Sequence, residues 1–251
     1  MKYPVMNSIA YSQINTLFLD VGNTLVSMNF KWIANELASL GIVCEAKTLQ
    51  RAEAAARPRI SVGLKHRSTE GKDAFSFYLE TVLSCLQCGV ENDPYKIRAV
   101  AQRLAPLLRP AGQVERLWST VIPGVFSSLK TLQEIGLKLV VVSNSDGTVE
   151  DILIRLGLRP YFSAVYDSRL VGFEKPDPRI FQYAINDSNA DPSNTLHVGD
   201  LYGIDVVGAR AAGLHAVLID PFGDWSNVDC ERVRDLSELA DRLIEAQMTP
   251  H

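Results

Sequence analysis

Four groups of polar residues in this sequence contain the side chains that phosphate and divalent-cation chemistry requires, namely carboxylates, small hydroxyls and a lysine. Each group follows a short apolar run or lies in a turn-rich loop. The groups are Asp20-Val21-Gly22-Asn23-Thr24, Ser143-Asn144-Ser145-Asp146-Gly147, the loop Gly172-Phe173-Glu174-Lys175-Pro176-Asp177-Pro178, and Gly199-Asp200 with Asp205 five positions later. Because the groups are far apart in the chain, they can act together only if the fold gathers them.

The chemistry of these residue types points to a phosphate and a magnesium ion. Carboxylates such as Asp20 and Asp200 suit magnesium, which takes oxygen ligands in octahedral geometry and usually shares the oxygens of a substrate's phosphate. A carboxylate can attack an anionic phosphorus only if their repulsion is offset, and the metal together with Lys175 would offset it. Hydroxyl and backbone N–H donors at Ser143 and Asn144, ahead of a helix, would hold the phosphate.

The apolar runs before these groups predict the elements that position them. The runs are residues 16–20, 138–143, 195–199 and 215–219. Runs of this length and composition are typical of buried parallel strands, and helical periodicity lies between them. Strands that alternate with helices predict an α/β fold with a doubly wound parallel sheet. Ligands of such sheets bind at the carboxyl ends of the strands, which is where the polar groups stand.

Residues 29–118 differ from the rest of the chain, because they show amphipathic helical patterns and no convincing strand. One pattern runs from Phe30 to Gly41, a residue type that commonly ends a helix. Another follows Asp93 and Pro94, which suit an N-cap and the first helical position. We interpret this segment as a helical insert.

Two proline positions predict breaks within or near the edge of the helical insert. They are Arg57-Pro58 and Arg109-Pro110, where the residue before proline is disfavoured in a helix. The expected organisation is an α/β core formed by residues 1–28 and 119–251, interrupted by the helical insert at 29–118.

Composition and charge exclude several classes of partner. The 251 residues are 47% hydrophobic and 22% charged, and the net charge is −4. That balance is typical of a globular protein, and it offers no basic field for nucleic acid or an anionic membrane surface. No apolar run approaches the roughly 20 residues that cross a bilayer, and the first residues do not resemble a secretory signal. A cytoplasmic location is the expectation.

The cysteines and histidines carry no metal site in this interpretation. Cys85 and Cys88 have ligand-like spacing, but they lie in a helical pattern without a second cysteine pair or a histidine pair nearby. Cysteines three apart on one helix face are more often small core residues. His197 and His215 lie in apolar runs and are also expected in the core.

The order of the four polar groups resembles the four signature motifs of the haloacid dehalogenase superfamily. The resemblance covers roughly residues 14–28 and 119–225, and four motifs in order are far more specific than one. It is strongest to the subgroup with a helical cap inserted after the first motif, which the helical insert would form. The resemblance implies a Rossmann-like core and a hydrolase acting on a small phosphorylated molecule.

Roles for individual residues follow from the resemblance. Asp20 would be the nucleophile, and Lys175 would neutralise charge on it and on the phosphate. Ser143 would bind the phosphoryl group with help from Asn144. Thr24 would steady the nucleophile loop and is counted with the substrate-binding residues.

The same resemblance implies a magnesium site. Asp20, the carbonyl of Gly22 and Asp200 would be ligands of Mg²⁺. Asp205 would act as a ligand through water or as a support for the other groups. Asp205 also lies early in a helix, where a carboxylate interacts favourably with the helix dipole in any case.

Gly22 departs from the pattern of the superfamily's phosphatases. They usually carry a second Asp two positions after the nucleophile, as general acid and base. A phosphomonoesterase remains the first interpretation, because Asp200 and Asp205 indicate a metal site that a simple haloacid dehalogenase does not need. A phosphonate hydrolase, in which Lys65 of the insert would form an imine, is second. A binding or regulatory protein with weak turnover is the third.

Overall fold

The computed structural model describes residues 9–64, 68–86, 93–109 and 116–248. Its main element is a parallel sheet of six strands in the order β5-β4-β1-β6-β7-β8. The strands of this sheet are β1 Thr16–Leu19, β4 Lys138–Ser143, β5 Ala164–Asp167, β6 Thr195–Gly199, β7 His215–Ile219 and β8 Glu231–Val233. A separate antiparallel pair consists of β2 Val26–Met28 and β3 Trp118–Val121.

Helices cover both faces of the six-stranded sheet, as the doubly wound prediction requires. The described α-helices are α1 Phe30–Ser39, α2 Ala46–Leu64, α3 Lys72–Ser84, α4 Pro94–Leu108, α5 Val125–Glu134, α6 Val149–Arg155, α7 Ser168–Val171, α8 Pro178–Ser188, α9 Val207–Ala211 and α10 Leu236–Met248. In β1, Leu17 and Leu19 pack on one face with α5 and α10, whereas Phe18 packs on the other with α8 and α9. The predicted α/β fold class is confirmed.

Four strands of the sheet, β1, β4, β6 and β7, lie where the apolar runs predicted them. The two edge strands, β5 and β8, were not predicted. Both are short, and each contains polar residues, such as Asp167 in β5 and Glu231 in β8. Edge strands are commonly short and charged, and this composition gives no apolar run to recognise.

The helical insert contains α1, α2, α3 and α4, which pack around one hydrophobic cluster that also includes Met28 of β2 and Ile204 of the core. Helix α1 ends where predicted, with Gly41 in the left-handed region at a φ of 85°. Helix α4 begins after Asp93, whose side chain accepts a hydrogen bond from the backbone N–H of Tyr95. The pair β2 and β3 lies on either side of the insert in the chain.

The break predicted at Arg57-Pro58 is wrong, because α2 continues through Pro58 from Ala46 to Leu64. Proline removes one helical hydrogen bond and crowds the preceding turn. Tertiary contacts hold α2 on both sides of Pro58: Ala56 and Ile60 are buried in a hydrophobic cluster, and Glu53 accepts hydrogen bonds from Asn23 and Tyr78. The prediction at Arg109-Pro110 agrees with the end of α4 at Leu108.

Several remaining predictions concern single residues or segments. Cys85 is a half-buried free cysteine, and His197 is buried in the core. Lys65, Cys88 and Pro110 lie outside the described residues. Within the described ranges, no helix combines the length and the apolar character needed to cross a membrane.

Candidate active site

The carboxyl ends of three adjacent strands bring the predicted site residues together. Asp20 follows β1 and its backbone N–H donates to Val198 of β6 at 2.9 Å. Ser143 is the last residue of β4, and Asp200 directly follows β6. Because β1 lies between β4 and β6, these three polar residues share one edge of the sheet.

Lys175 is a buried cation that links two of the carboxylates. Its Nζ lies 2.7 Å from Asp20 Oδ1 and 2.7 Å from Asp205 Oδ1, and its side chain is 2% exposed. Burial alone would lower the pKa of Lys175, but the charges of Asp20 and Asp205 outweigh it and raise that pKa above its usual value. Lys175 therefore places a positive charge beside Asp20.

Asp20 lies at the floor of a cavity and is held through one of its oxygens. Its Oδ1 accepts hydrogen bonds from Lys175 Nζ and from Ser143 Oγ, the latter at 2.9 Å. Burial raises the pKa of Asp20; Lys175 opposes the shift and Asp205 adds to it. Among the described residues, none donates a hydrogen bond to Oδ2, so that oxygen is left for a ligand.

Asp205 has both carboxylate oxygens engaged. Its Oδ1 contacts Lys175 and lies 3.1 Å from His197 Nε2, and its Oδ2 accepts from the backbone N–H of Leu201 at 2.9 Å. Burial opposes ionisation, yet Lys175 and His197 hold the pKa of Asp205 below its usual value. This geometry favours the supporting role over direct metal contact.

Asp200 is held from two sides through one oxygen. Asn23 Nδ2 donates to Asp200 Oδ2 at 3.2 Å, and Arg57 Nε of α2 lies 3.4 Å from the same atom. Burial raises the pKa of Asp200 well above its usual value; Arg57 opposes this, and the neighbouring carboxylates, including Glu53, add to it.

Asn144 holds the lysine loop and contacts the insert. Its Oδ1 accepts from the backbone N–H of Lys175 at 2.7 Å, and its Nδ2 donates to the Lys175 carbonyl and to Thr69 Oγ1, both at 2.9 Å. Its side chain thus positions Lys175. Thr24 was expected among the substrate-binding residues, but its side chain is buried and does not line the cavity. We assign it a structural place in the nucleophile loop.

Gly22 lines the cavity and faces the indole of Trp118. A Cβ built at Gly22 would lie 3.3 Å from Trp118 Cη2, which is closer than most such contacts. The ring therefore occupies space next to the position where a side chain at residue 22 would begin. Apolar residues of the insert, including Leu64, Phe75 and Tyr78, line the same cavity.

The buried carboxylates around Asp20 outnumber the buried cations. Four buried carboxylates, those of Asp20, Glu53, Asp200 and Asp205, meet two buried cations, Lys175 and Arg57. If all six were ionised, two negative charges would be uncompensated. A bound divalent cation would balance them and would oppose the effect of burial, which raises the pKa of Asp20 and of Asp200.

The donor set is one of oxygens, which suits magnesium. Within the described parts of the chain, no three His, Cys, Asp or Glu side chains form a ready ligand group. An ion held by Asp20 and Asp200 would need a backbone carbonyl, such as that of Gly22, and oxygens from water and substrate. Magnesium commonly binds through one or two carboxylates in this way.

Sequence reasoning missed the contribution of the helical insert. Glu53, Arg57 and Trp118 all contact residues of the site, yet in the sequence they read as ordinary helix and loop residues. The i, i+4 spacing of Glu53 and Arg57 indicates a helix ion pair, but nothing in the sequence indicates that the pair is buried against the core.

Glu70 is a further carboxyl group in the cavity wall. Burial raises the pKa of Glu70 to about 7, although Arg109 opposes the shift; the charges of Asp146 and Glu174 add to it. Because this pKa exceeds the ordinary value of 4.5, the folded chain binds the proton more tightly than the unfolded chain. The associated stabilisation is therefore complete below pH 4.5 and is lost as pH rises through about 7.

The pH dependence of stability provides a test of this environment. Raising the pH from about 4.5 to above about 7 is expected to lower the free energy of unfolding more in the wild type than in Glu70→Gln, which cannot ionise. Urea titrations of both proteins at the two pH values measure the difference. Equal pH dependence in the two proteins would show that Glu70 is not desolvated.

Comparisons with known proteins identify the family of the chain. The model of the haloacid dehalogenase-like hydrolase family matches residues 14–213. Haloacid dehalogenase-like hydrolase domain-containing protein 3 of Bos taurus is 33% identical over 221 residues, with 82% of each chain covered. A glyceraldehyde 3-phosphate phosphatase of Methanothermobacter thermautotrophicus is 37% identical over 130 residues, with 48% of this chain and 58% of that protein covered.

A solved structure shares the fold. A HAD hydrolase of Bacillus subtilis, crystallised with magnesium, superposes with a TM-score of 0.59 and 22% identity. The match covers 92% of this chain and 98% of that one. At this identity the likeness supports the fold alone.

Proposed function

The chain belongs to the haloacid dehalogenase-like hydrolase family, and we propose that it is a magnesium-dependent phosphatase of a small phosphorylated metabolite. The observation that carries the proposal is the contact of Lys175 with both Asp20 and Asp205, at the floor of a cavity also lined by Ser143. The phosphatase among the relatives supports a phosphorylated substrate.

In the proposed reaction, Asp20 attacks the phosphorus of the substrate. A bond forms between a carboxylate oxygen of Asp20 and phosphorus, and the bond from phosphorus to the leaving oxygen breaks. Lys175 offsets the repulsion between the two anions, and Ser143 donates a hydrogen bond to the transferring group. Water then attacks the phosphorus of phosphoryl-Asp20: a new oxygen–phosphorus bond forms, and the bond between Asp20 and phosphorus breaks. Inorganic phosphate leaves with one proton of the water, the other proton passes to solvent, and the Asp20 carboxylate is regenerated.

Asp20, Asp200 and the Gly22 carbonyl are the residues that we propose as magnesium ligands. When bound, the ion would stabilise negative charge on the phosphate oxygens. Asp205 holds Lys175 in place and is not proposed as a direct ligand, because both of its oxygens are engaged. Asn144 fixes the loop that carries Lys175.

Because Gly22 provides no carboxylate, the alternative reactions are assayed together with phosphate release. Magnesium-dependent phosphate release from p-nitrophenyl phosphate is the expected activity. Chloride release from a haloacid and cleavage of phosphonoacetaldehyde, measured alongside, would identify the haloacid or phosphonate hydrolase instead. A chain that binds magnesium but shows none of the three activities would support the regulatory interpretation.

Asp200→Asn is expected to weaken magnesium binding by at least about tenfold, because an amide oxygen is a poorer ligand than a carboxylate. Mutation of residues that only hydrogen-bond to metal ligands already lowers metal affinity by about tenfold. Calorimetric titration of the apo protein measures the affinity. Asp241→Asn, at an exposed position of α10, is the matched control and should leave it unchanged. Unaltered affinity in Asp200→Asn would exclude Asp200 from the metal site.

A further inference from the structure

Helix α2 of the insert carries three buried polar side chains on one face. They are Glu53, Arg57 and Ser61, which are 0%, 6% and 2% exposed. Their spacing of four residues places them one above the other along the helix. We call this set the α2 polar stripe.

Every member of the α2 polar stripe contacts a loop of the core. Glu53 Oε1 accepts from Asn23 Nδ2 at 3.1 Å, and Arg57 Nε lies 3.4 Å from Asp200 Oδ2. Ser61 Oγ accepts from the backbone N–H of Gly203 at 2.7 Å. The stripe therefore meets the nucleophile loop and the loop that follows β6.

Within the stripe, Glu53 fixes the orientation of the arginine. Both carboxylate oxygens of Glu53 accept from the Arg57 guanidinium, at distances of 2.8 to 3.2 Å, and Tyr78 donates to Glu53 Oε1 at 2.8 Å. A buried ion pair of this kind seldom stabilises a fold more than apolar residues of the same size would. Its contact with Asp200 points to a role in the site.

Gly203 allows α2 to approach the core closely. A Cβ built at this residue would lie 2.9 Å from Ser61 Oγ and 3.2 Å from the Ser61 carbonyl oxygen. The second contact is with backbone, so a side chain at residue 203 would push α2 away from the loop that carries Asp200.

We propose that the α2 polar stripe is a positioning element of the magnesium site, so that the site is complete only when the insert is seated on the core. Asn23 and Arg57 hold Asp200 Oδ2, and no hydrogen bond from a described residue engages Asp200 Oδ1. The stripe thereby fixes the orientation of the Asp200 carboxylate, whose Oδ1 would be available to a bound ion. The inference rests on the proposed function, because it requires that Asp200 bind magnesium.

The test is the magnesium affinity of the full chain, measured by calorimetry on the apo protein. Arg57→Lys keeps the positive charge but loses the planar guanidinium, whose N–H groups contact Glu53 and Asp200 at the same time. Gly203→Ala leaves all charges in place and displaces α2. Each is expected to weaken magnesium binding by about 10- to 100-fold, the usual effect of changing an outer group at a metal site.

A second readout and a matched control separate positioning from general damage. Magnesium should raise the melting temperature of both variants less than that of the wild type, because at one magnesium concentration weaker binding stabilises the fold less. Arg51→Lys is the control: Arg51 lies on the same helix and pairs with Asp224 away from the site. Its magnesium affinity should equal that of the wild type.

The magnesium affinities of the variants and of the wild type separate failure of the positioning role from failure of the proposed function. If Arg57→Lys does not fold, Ser61→Ala is the milder variant and should weaken binding in the same direction. Wild-type affinity in the folded variants would overturn the positioning role while leaving the magnesium site intact. A wild-type chain that binds no magnesium would overturn the proposed function, and the inference with it.

Discussion

Replacing Asp20 by Asn is expected to lower kcat for p-nitrophenyl phosphate by at least about 10⁴-fold, the scale of effect seen when a nucleophile or its partner is removed from a hydrolase. The amide has nearly the same shape as the carboxylate, and its oxygen can still accept the hydrogen bonds from Ser143 and Lys175. It cannot form the covalent bond to phosphorus. The fold should therefore persist while turnover stops.

The control for this variant is Asp146→Asn, which changes an exposed aspartate that lines the same cavity. It should retain most of the wild-type rate. Circular dichroism and the melting temperature establish that both variants are folded. If folded Asp20→Asn turned over at the wild-type rate, Asp20 would not be the nucleophile.

The second large effect should come from the leaving group of the substrate. Without a carboxylate at Gly22, an alkoxide must depart without a proton from that position, whereas p-nitrophenolate needs none. General acid–base assistance contributes roughly 10²–10⁴-fold. Aryl phosphates should therefore react faster than alkyl or sugar phosphates by a factor in that range.

The second step, hydrolysis of phosphoryl-Asp20, also lacks a general base, because Gly22 provides no carboxylate to activate the water. Phosphoryl-Asp20 should accumulate, and stopped-flow traces with p-nitrophenyl phosphate should show a burst of p-nitrophenol before a slower steady rate. Equal rates for alkyl and aryl phosphates, without a burst, would mean that another group supplies the proton. Glu70, which lines the cavity, would then be the first candidate to replace.

Introducing a carboxylate at residue 22 tests whether its absence causes the expected difference between aryl and alkyl phosphates. A side chain at Gly22 would meet Trp118, with its Cβ 3.3 Å from the ring, so Gly22→Asp should be combined with Trp118→Leu. The double variant is expected to reduce the difference between aryl and alkyl phosphates. Trp118→Leu alone is the control and should leave that difference unchanged.

The interior of the sheet could be predicted from the sequence because its strands are mostly apolar. Strands β1, β4 and β7 each have three or four consecutive apolar residues after a polar first residue, and in β6 only His197 separates Leu196 from Val198. The edge strands β5 and β8 lack this pattern, since one side of each faces no neighbouring strand. The continuity of α2 through Pro58 depends on tertiary contacts, which local sequence rules do not include.

In the site too, local motifs could be predicted from the sequence, whereas tertiary contacts could not. The proximity of Asp20, Ser143, Lys175 and Asp200 could be predicted because each belongs to a motif at a strand end or in a loop, at the carboxyl end of the sheet. The contact of Arg57 with Asp200 could not, because it joins a helix of the insert to a loop 143 positions later. Asn144 and Asp205 show an intermediate case, in which the sequence indicates the place and only the hydrogen bonds indicate the role.

The location of the phosphoryl group during turnover decides whether Asp20 is the nucleophile. Wild-type protein with magnesium is mixed with p-nitrophenyl phosphate, quenched in acid within the burst, digested and mapped by mass spectrometry. We expect a phosphorylated peptide modified at Asp20, which is absent from Asp20→Asn and from samples without magnesium. Phosphate release without any modification of Asp20, or modification of another residue, would contradict it.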